Sequence, residues 1–418
     1  MLNKFATGTF DNNAKNLKHI HVQISLRTNT VALNITHLTY FCGEYEETAS
    51  ISVTKPAIQK YTTEDIYFAL TTSTKRIINT VHYIKFWAKL PGINCLIVLE
   101  QNDFDNNRNI TEYLIHEGIP CNIQSSNIAR YEERYLELFH LAWNYQEINK
   151  RKAIEWFAVG DDDTVWFINN LLRVLQQYNS SNTIYLGDIS DNRDQVQHYG
   201  AYFAYGGGGI VLSRSLALIF STYPEKCKQY LNIFGGDGMI GKCITEILKV
   251  GLVKNHNFHQ MDHHGDMTGY LESGINGLVT LHHMFSYWRP FPKRHTNKIN
   301  ETMYLLQLAY ATFDETFLKR YVRLHREANQ TLLLTMGYSF TIFNRILLPA
   351  ELNLVENTWD GTKMIARKTR SKENKKTTWY FRRSSTETSY KSTRYRTVYE
   401  KRSDSYGQIS NIEVVFTN

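Results

Sequence analysis

The stretch Trp156-Phe-Ala-Val-Gly-Asp-Asp-Asp-Thr-Val-Trp166 joins an apolar run to three consecutive acids. Trp156 to Val159 has the character of a buried strand, and Asp161, Asp162 and Asp163 follow it almost at once. Three neighbouring carboxylates repel one another and lose hydration beside such a strand, which costs stability. A divalent cation removes this cost, because carboxylates two positions apart in a turn can approach one ion. The alternative is an acidic turn that caps the following helix.

Strands and helices alternate on both sides of this stretch. The apolar spacing predicts strands at Ile66–Leu70, Cys95–Leu99, Pro120–Ile123 and Trp156–Val159, helices at Thr74–Leu90, Thr111–Glu117, Tyr131–Asn149 and Val165–Tyr178, and a polar loop at Glu100–Asn109. Such alternation predicts an α/β fold around a mostly parallel sheet with right-handed crossovers. Ligands bind at the carboxyl ends of strands in these sheets, and the three aspartates fall at one of them.

Length and composition predict a globular chain with an appendage. The 418 residues carry a formal charge of +7 and are 42% hydrophobic, and the sequence contains no apolar run of membrane-spanning length. We predict short N-terminal strands or a stem over residues 1–60, a catalytic domain over 61–295, and a β-rich basic region over 296–418. Residues 363–402 hold fourteen Lys and Arg. This run predicts a solvated basic surface, with nucleic acid or an anionic glycan as less favoured partners.

Two glycine-rich segments lie in the second half of the chain. Gly206 to Gly209 would let the backbone approach a flat ligand closely, although a plain flexible loop has the same composition. The run matches neither a phosphate-binding loop nor the nucleophile motif of a serine hydrolase. Asp237 stands among glycines just before a predicted helix, where it is either a general base or a helix cap.

Histidine and cysteine leave their alternatives open. His259, His263 and His264 lack the spacing of a zinc protease and lie in a glycine-containing loop. His282 and His283 end an apolar strand, so that one of them would point into a site, unless they are structural histidines. The five cysteines form no zinc-binding spacing and are either two disulfides, Cys95–Cys121 and Cys227–Cys243, with Cys42 left over, or five buried thiols. Five acceptor patterns for N-glycosylation begin at Asn34, Asn109, Asn179, Asn300 and Asn329.

In this order, the motifs resemble the fringe-like branch of glycosyltransferase family 31. The most similar group is the plant and fungal fringe-like domains of unassigned function. The resemblance covers roughly residues 62–295 and rests on five segments, namely Trp156–Trp166, Tyr205–Ser213, Gly236–Cys243, Phe258–Gln260 and Leu281–His283. It implies a GT-A fold, an inverting mechanism, Mn²⁺ or Mg²⁺ as cofactor and a UDP-sugar as donor.

The resemblance also implies roles for individual residues. Asp163 would bind the metal directly, with Asp161 as the other outer acid facing the nucleotide. His282 would be the metal's histidine ligand, although a shifted alignment would put His283 in its place. Asp237 would be the catalytic base. The rest of the donor site would comprise Asp162, the sugar-pocket residues Gly206, Gly207, Gly208 and Gly209, and the uridine-side residues Thr71, Thr72 and Ser73.

From these roles we expect an enzyme that moves a hexose or N-acetylhexosamine from a UDP-sugar to a hydroxyl of a glycan or glycoprotein, in a β1,3-type linkage. The competing hypotheses are a glycan-binding module that has lost activity and a metal-dependent phosphohydrolase. Glycines flank Asp237 where many relatives have an acid, which removes one source of a raised pKa. Relatives are usually type II membrane proteins of the Golgi, so we expect the secretory lumen, an anchor that this sequence lacks, and a Cys227–Cys243 disulfide.

Overall fold

A computed structural model describes residues 19–29, 32–41, 51–54, 61–100, 104–149, 153–292, 296, 298–389, 392–402 and 409–417. The predicted N-terminal segment before residue 19, and Cys42, lie outside the described residues. The strands of the N-terminal and middle parts are β1 (His19–Asn29), β2 (Ala32–Phe41), β3 (Ile51–Thr54), β4 (Ile66–Thr72), β5 (Asn94–Glu100), β6 (Asn122–Ser126), β7 (Trp156–Val159), β8 (Val165–Trp166), β9 (Tyr185–Gly187), β10 (Ile210–Ser213), β11 (Leu252–Lys254), β12 (Gly265–Asp266), β13 (Thr280–Leu281) and β14 (Trp288–Arg289).

A seven-stranded sheet in the order β11-β9-β10-β7-β4-β5-β6 forms the centre of the middle region. The strands β7, β4, β5 and β6 run parallel, and β10 is antiparallel to both of its neighbours. Both faces are covered by helices, so that β4 and β7 are buried along their whole length. The predicted α/β fold around a mostly parallel sheet is confirmed.

Eleven helices accompany the described strands. They are α1 (Thr74–Ala88), α2 (Phe104–His116), α3 (Tyr131–Asn149), α4 (Ile168–Leu175), α5 (Arg193–Tyr199), α6 (Arg214–Ser221), α7 (Pro224–Cys227), α8 (Gly236–Lys242), α9 (Thr268–Leu271), α10 (Ile299–Phe313) and α11 (Pro349–Leu352). Helix α1 begins where the Ser73 side chain accepts a hydrogen bond from the Arg76 backbone, and it buries an apolar stripe that includes Ile77, Val81 and Ile84.

Two sequence-based boundaries differ from the structure. Residues 104–109, predicted as part of a polar loop, form the first turns of α2. Their sequence is mostly polar, so the spacing of apolar residues does not identify them as helical. The helix predicted from Val165 begins only at Ile168. Val165 and Trp166 instead pair with Leu281 and Thr280 as the short ladder β8–β13, a distant contact that overrides local helix propensity.

The C-terminal region is β-rich, as predicted. Its strands are β15 (Arg320–His325), β16 (Gln330–Thr335), β17 (Ser339–Phe343), β18 (Val355–Glu356), β19 (Thr369–Arg370), β20 (Lys376–Ser389), β21 (Ser392–Arg402) and β22 (Ile409–Thr417). A nine-stranded sheet in the order β15-β16-β17-β20-β21-β22-β1-β2-β3 also takes up the three N-terminal strands through parallel pairing of β1 with β22. Helix α10, which the sequence interpretation missed, contacts β20 and α1. Among the described residues no helix is both long and apolar enough to cross a membrane.

Two cations of the basic C-terminal run form ion pairs with buried carboxylates, one of which, Glu272, belongs to the middle region. Lys376 lies 3.5 Å from Glu272 and 3.0 Å from Glu356, and its side chain is only 11% exposed. Arg370 pairs with Glu356 at 2.7 Å. A buried cation is retained only where carboxylates compensate it. The expectation of a solvated basic surface is therefore wrong for Lys376 and Arg370.

Two disulfides are present, Cys95–Cys121 and Cys227–Cys243. The first joins β5 to the residue just before β6, and the second joins the end of α7 to the residue after α8. The disulfide pairing is confirmed, and the alternative of free thiols is excluded for these four cysteines. The second bridge closes a loop that carries Asp237, so that the position of this side chain depends on a covalent constraint.

Candidate active site

The three aspartates form the turn after β7, at the carboxyl end of the parallel strands. The Thr164 hydroxyl accepts a 2.9 Å hydrogen bond from the Asp161 backbone and donates one of 2.9 Å to the Gly207 carbonyl, which fixes the turn against the glycine segment. The side chain of Asp161 is 25% exposed, that of Asp163 is 8% exposed and that of Asp162 is fully buried. The three acids therefore occupy different environments.

Asp162 points into the protein. Its carboxylate accepts hydrogen bonds from the Thr72 hydroxyl at 2.5 Å and from the Arg76 guanidinium at 2.6 to 3.0 Å. Burial raises the pKa of Asp162, and the positive charge of Arg76 opposes that shift. Asp162 therefore serves to hold Arg76 and the turn, and its oxygens point away from the open cavity.

Asp161 and Asp163 converge on one histidine. His282 Nε2 lies 3.0 Å from Asp163 Oδ1 and 3.3 Å from Asp161 Oδ2. The other ring nitrogen, Nδ1, lies 3.2 Å from the Gln260 carbonyl oxygen and can donate to it. That hydrogen bond selects the tautomer in which Nε2 carries the free lone pair, as a metal-binding histidine requires.

The electrostatics of this group favour a cation. Burial alone would lower the pKa of His282, but the charges of Asp163 and Asp161 outweigh it and raise that pKa well above its usual value. The acids thus require a positive charge at this point, which a divalent ion can supply in place of the proton. Ligand atoms of Asp163, His282 and His283 lie within 4.8 Å of one another. Asp161 adds a second carboxylate, because its Oδ2 lies 3.3 Å from His282 Nε2, and two carboxylates with an imidazole fit Mn²⁺.

His283 occupies a neighbouring position. Its Nε2 lies 3.2 Å from Asp262 Oδ1, and its ring stacks on Tyr287 with centroids 3.9 Å apart. Burial lowers the pKa of His283, and the charge on His282 adds to this effect. His282, which contacts both outer acids, is therefore better placed than His283 to share an ion with them.

Asp237 lies on the first turn of α8, and the backbone holds both of its oxygens. The amide of Gly206 donates to one oxygen and that of Gly238 to the other, each at 2.8 Å. Burial raises the pKa of Asp237 to about 6, with hydrogen bonding from Gly206 opposing the shift and the charge of Asp161 adding to it. The flanking glycines therefore do not prevent a raised pKa of Asp237, because its sources are burial and the charge of Asp161 in the turn after β7.

One cavity connects these groups. It has a volume of about 390 Å³ and is lined by Asp161, His282 and His283 together with Asp237 and several aromatic side chains. Such a volume lies in the range of small-molecule sites, and perturbed titratable groups in a cleft are typical of catalytic sites. Asp161 places the cavity at the carboxyl end of β7, as expected for a parallel sheet.

The comparison with known families covers the whole of this site. A family model described as fringe-like matches residues 61–284. The chain belongs to the fringe-like family. A second model, described as a protein of unknown function, DUF604, matches residues 195–415 of this fringe-like chain and includes most of its β-rich region. The family predicted from the sequence motifs is confirmed.

Individual relatives of the fringe-like chain are glycosyltransferases. The chain is 27% identical over 175 residues to a beta-1,3-N-acetylglucosaminyltransferase lunatic fringe of Xenopus laevis, an alignment that covers 38% of this chain and 46% of the relative. It is 32% identical over 112 residues to a beta-1,3-glucosyltransferase of Mus musculus, covering 27% and 22%. The chain thus matches less than half the length of each of these two relatives.

Among solved structures, the fringe-like chain is similar to a glycosyltransferase involved in glycosylation of the major capsid of PBCV-1. The identity is 12%, the TM-score is 0.31, and the match covers 57% of this chain and 98% of that one. A score of this size is too low to support an argument about fold or function.

The four glycines of the fringe-like chain pack against site residues. A Cβ atom on Gly207 would lie 2.1 Å from His282 Nδ1, and one on Gly206 would lie 2.6 Å from the Tyr135 hydroxyl. Gly208 donates to the Gln260 side chain at 2.6 Å, and Gly209, at φ +92°, packs on Trp166. The close approach that glycine permits thus accommodates the protein's own side chains, including the candidate metal ligand.

We expect Gly207→Ala to lower the free energy of unfolding by about 1–3 kcal/mol, because the added methyl group collides with the buried His282 ring. Urea denaturation of the purified protein measures this difference. Gly251→Ala is the matched control, since a Cβ there meets no atom within 4 Å. Equal stability of Gly207→Ala and wild type would contradict the packing described here.

Of the residues placed near uridine by resemblance, Thr72 reaches the Asp162 carboxylate and Ser73 caps α1. Thr71 is fully buried and donates to the Val98 carbonyl at 3.1 Å. Sequence reasoning missed Arg76, and it also missed Tyr131, whose hydroxyl donates to Asp161 at 3.2 Å. The position of Arg76, one turn beyond a strand end at the start of a helix, is the signal that could have identified it.

Proposed function

We propose that this chain is an inverting, metal-dependent glycosyltransferase. It would transfer a hexose or N-acetylhexosamine from a UDP-sugar to a hydroxyl of a glycan or glycoprotein, in a β1,3-type linkage. The observation that carries the proposal is that Asp161, His282 and Asp237 line one cavity in a member of the fringe-like family. The beta-1,3 specificity in the names of the relatives supports the linkage.

The acidic end of the cavity suits the donor. Asp161, Asp163 and His282 would hold Mn²⁺ or Mg²⁺, which supplies charge to stabilise the departing diphosphate. Arg76 lies 3.6 Å from Asp163, and its side chain is 56% exposed. It is therefore close enough to add positive charge beside the diphosphate. Tyr131 and its hydrogen bond to Asp161 keep that carboxylate oriented toward the cavity.

Asp237 suits the role of general base. It would take the proton of the acceptor hydroxyl while that oxygen forms a bond to the anomeric carbon. The bond from that carbon to the diphosphate oxygen breaks in the same step, so UDP leaves and the configuration inverts. A carboxylate with a pKa near 6 is largely deprotonated at neutral pH and remains basic enough to accept a proton in the transition state.

Two other functions have less support. A phosphohydrolase of the two-metal type needs a second group of ligands, and among the described residues one group of three is found. A module that has lost activity would not require a partly buried carboxylate with a raised pKa at the mouth of the donor cavity. The Asp237 environment therefore favours an active transferase.

The lumen of the Golgi or another secretory compartment suits this chain. The two disulfides are stable in an oxidising environment. Four of the N-glycosylation acceptor residues, Asn109, Asn179, Asn300 and Asn329, are exposed. Exposed acceptors in such a compartment are available for modification.

The proposal is tested by incubating the purified chain with UDP-glucose, UDP-galactose, UDP-N-acetylglucosamine and UDP-N-acetylgalactosamine, each with Mn²⁺ or with EDTA, and measuring released UDP. We expect Mn²⁺-dependent UDP release from one donor above the others. GDP-mannose is the control for the nucleotide. No release from any donor, combined with no binding of UDP, would contradict the proposed function.

A further inference from the structure

A second cavity lies outside the candidate active site. It has a volume of about 300 Å³ and shares no lining residue with the cavity that contains Asp237. Its walls come from the segments after β9 and β11, from α9 and the residues after it, and from residues 365–367. Because β9 and β11 run parallel, Asp188 and His256 lie just beyond the carboxyl ends of two parallel strands, where α/β sheets bind ligands.

Hydrogen bonds between distant segments hold the walls of this cavity together. The backbone amide of Ile365 donates to the Asp191 carbonyl at 3.0 Å, which fixes the C-terminal segment against the middle region. Ser190, another wall residue, donates from Oγ to Asp262 Oδ2 at 2.5 Å. Asp262 lines the candidate active site, so this contact is part of the boundary between the two cavities.

The two acids of the second cavity already have partners. Asp188 Oδ2 lies 2.7 Å from His256 Nδ1, and Asp191 Oδ1 lies 2.9 Å from His259 Nδ1. Asp191 also accepts a hydrogen bond from the Tyr270 hydroxyl at 3.3 Å. Carboxylates that are compensated within the protein do not require a cation from outside, which disfavours a cationic ligand.

The polar groups that remain are a histidine nitrogen and a guanidinium. His259 is 5% exposed and donates from Nδ1 to Asp191, so that Nε2 carries the lone pair and has no hydrogen-bond partner among the described residues. Arg367 donates to the hydroxyl and the carbonyl of Ser273, and it forms no ion pair within the part of the chain that the structure describes. Nε2 can accept a hydrogen bond from a hydroxyl, and the guanidinium matches a carboxylate or a phosphate.

A second arginine adds positive charge near Arg367. A Cβ on Gly274, which lines the cavity, would lie 3.0 Å from the Cβ of Arg320. Burial lowers the pKa of Arg320, and the charges of Arg367 and Arg370 lower it further, with Glu272 opposing them. Arg370 and Glu272 already belong to other ion pairs. An anionic group beside Arg367 would compensate this excess of positive charge.

We propose that the second cavity binds a sugar ring that carries an anionic group, with the anion on Arg367 and a ring hydroxyl on His259 Nε2. Ile189 and Ile275 line the same cavity and offer an apolar surface to the C–H groups of the ring. The inference does not rest on the proposed transferase function, because it requires no turnover and no residue of the candidate active site.

The test is saturation-transfer NMR titration of the full chain with methyl β-D-glucuronide and with methyl β-D-glucoside, which lacks the carboxylate. We expect wild type to bind the glucuronide at least about tenfold more tightly, because the charge-assisted hydrogen bond to Arg367 is missing in the glucoside. Glucose 6-phosphate should displace the glucuronide, and inorganic phosphate, which has no ring, should do so at least about tenfold less well. Saturating UDP with Mn²⁺ should leave the glucuronide bound.

Arg367→Gln should weaken glucuronide binding by about tenfold or more and leave glucoside binding unchanged. Lys368→Gln is the matched control, because Lys368 is an exposed cation next to Arg367 that does not line the cavity. Urea denaturation checks that both variants keep the free energy of unfolding of wild type.

Equal affinity of wild type for the two glycosides would overturn the inference, as would wild-type affinity for the glucuronide in Arg367→Gln. Inorganic phosphate that competes as well as glucose 6-phosphate would exclude recognition of the ring. Displacement of the glucuronide by UDP with Mn²⁺ would place it in the candidate active site. The comparisons on wild type decide the matter even if Arg367→Gln does not fold, and failure of UDP to bind would overturn only the proposed function.

Discussion

Asp237→Asn is expected to lower kcat for sugar transfer by about 10²–10⁴-fold while UDP binding stays close to that of wild type. The substitution keeps the shape of the side chain and the acceptor atom for the Gly206 amide, but it removes the group that takes the proton. Initial rates with the donor identified by UDP release measure the effect. Asp360→Asn, at an exposed position, is the control. A loss in Asp237→Asn of less than about threefold would contradict the assignment of the base.

The pH profile adds an independent signature of Asp237. Its pKa is raised to about 6 by burial. The base is inactive when protonated, so kcat/KM should fall about tenfold per pH unit below about 6 and level off above it. In Asp237→Asn this acidic limb should disappear from the residual activity. A limb that persists in the variant would assign the titration to another group.

In Asp163→Asn, the factor by which Mn²⁺ increases the affinity for UDP is expected to fall by at least about 100-fold relative to wild type. The carboxylate lies 3.0 Å from His282 Nε2, and an amide supplies neither its charge nor its basicity to a divalent ion. The affinity for UDP with and without Mn²⁺ is measured by calorimetry, with Asp360→Asn again as the control. His282→Gln should act in the same direction, because it removes the nitrogen donor.

If Asp163→Asn kept the Mn²⁺ dependence of wild type, the metal would have to bind elsewhere. Loss of folding is a separate explanation for lost binding, and urea denaturation of the two variants excludes it. A variant that has the free energy of unfolding of wild type, but whose affinity for UDP no longer depends on Mn²⁺, identifies the substituted residue as a metal ligand.

Local sequence patterns predict the elements of the central region closely. The spacing of apolar residues identifies α3 at Tyr131–Asn149 and β7 at Trp156–Val159 with the bounds that the structure has. Helix α3 places buried residues three and four positions apart, as at Tyr135, Leu138 and Phe139, and β7 is a fully apolar run. By contrast, Val165 and Trp166 become a strand because of residues more than 100 positions away.

The prediction of separate N-terminal and C-terminal regions missed the long-range pairing between their strands. The strands near the N-terminus join the sheet of the C-terminal region through β1 and β22. Nothing local to residues 19–29 specifies a partner at 409–417. Helix α10 was missed for a different reason, since the β-rich composition of the surrounding region masked an apolar stripe that includes Leu305, Leu306 and Ala309.

For the site, the sequence motifs select most of the side chains that the structure brings together. Asp161 and Asp163 both lie within hydrogen-bonding range of His282, and Asp237 lines the same cavity as Asp161 and His282. The sequence does not show which of the three consecutive acids faces the cavity, because that depends on which of them pairs with Arg76. Asp162 does so and is thereby neutralised inside the protein.

The acids after β7 and His282 are proposed to hold a divalent ion that binds the nucleotide diphosphate. The most direct test is a calorimetric titration of wild-type protein with UDP, once with Mn²⁺ and once with EDTA. We predict clear binding with Mn²⁺ and binding at least about 100-fold weaker in EDTA. Equal UDP affinity under both conditions, or no UDP binding under either, would contradict the account.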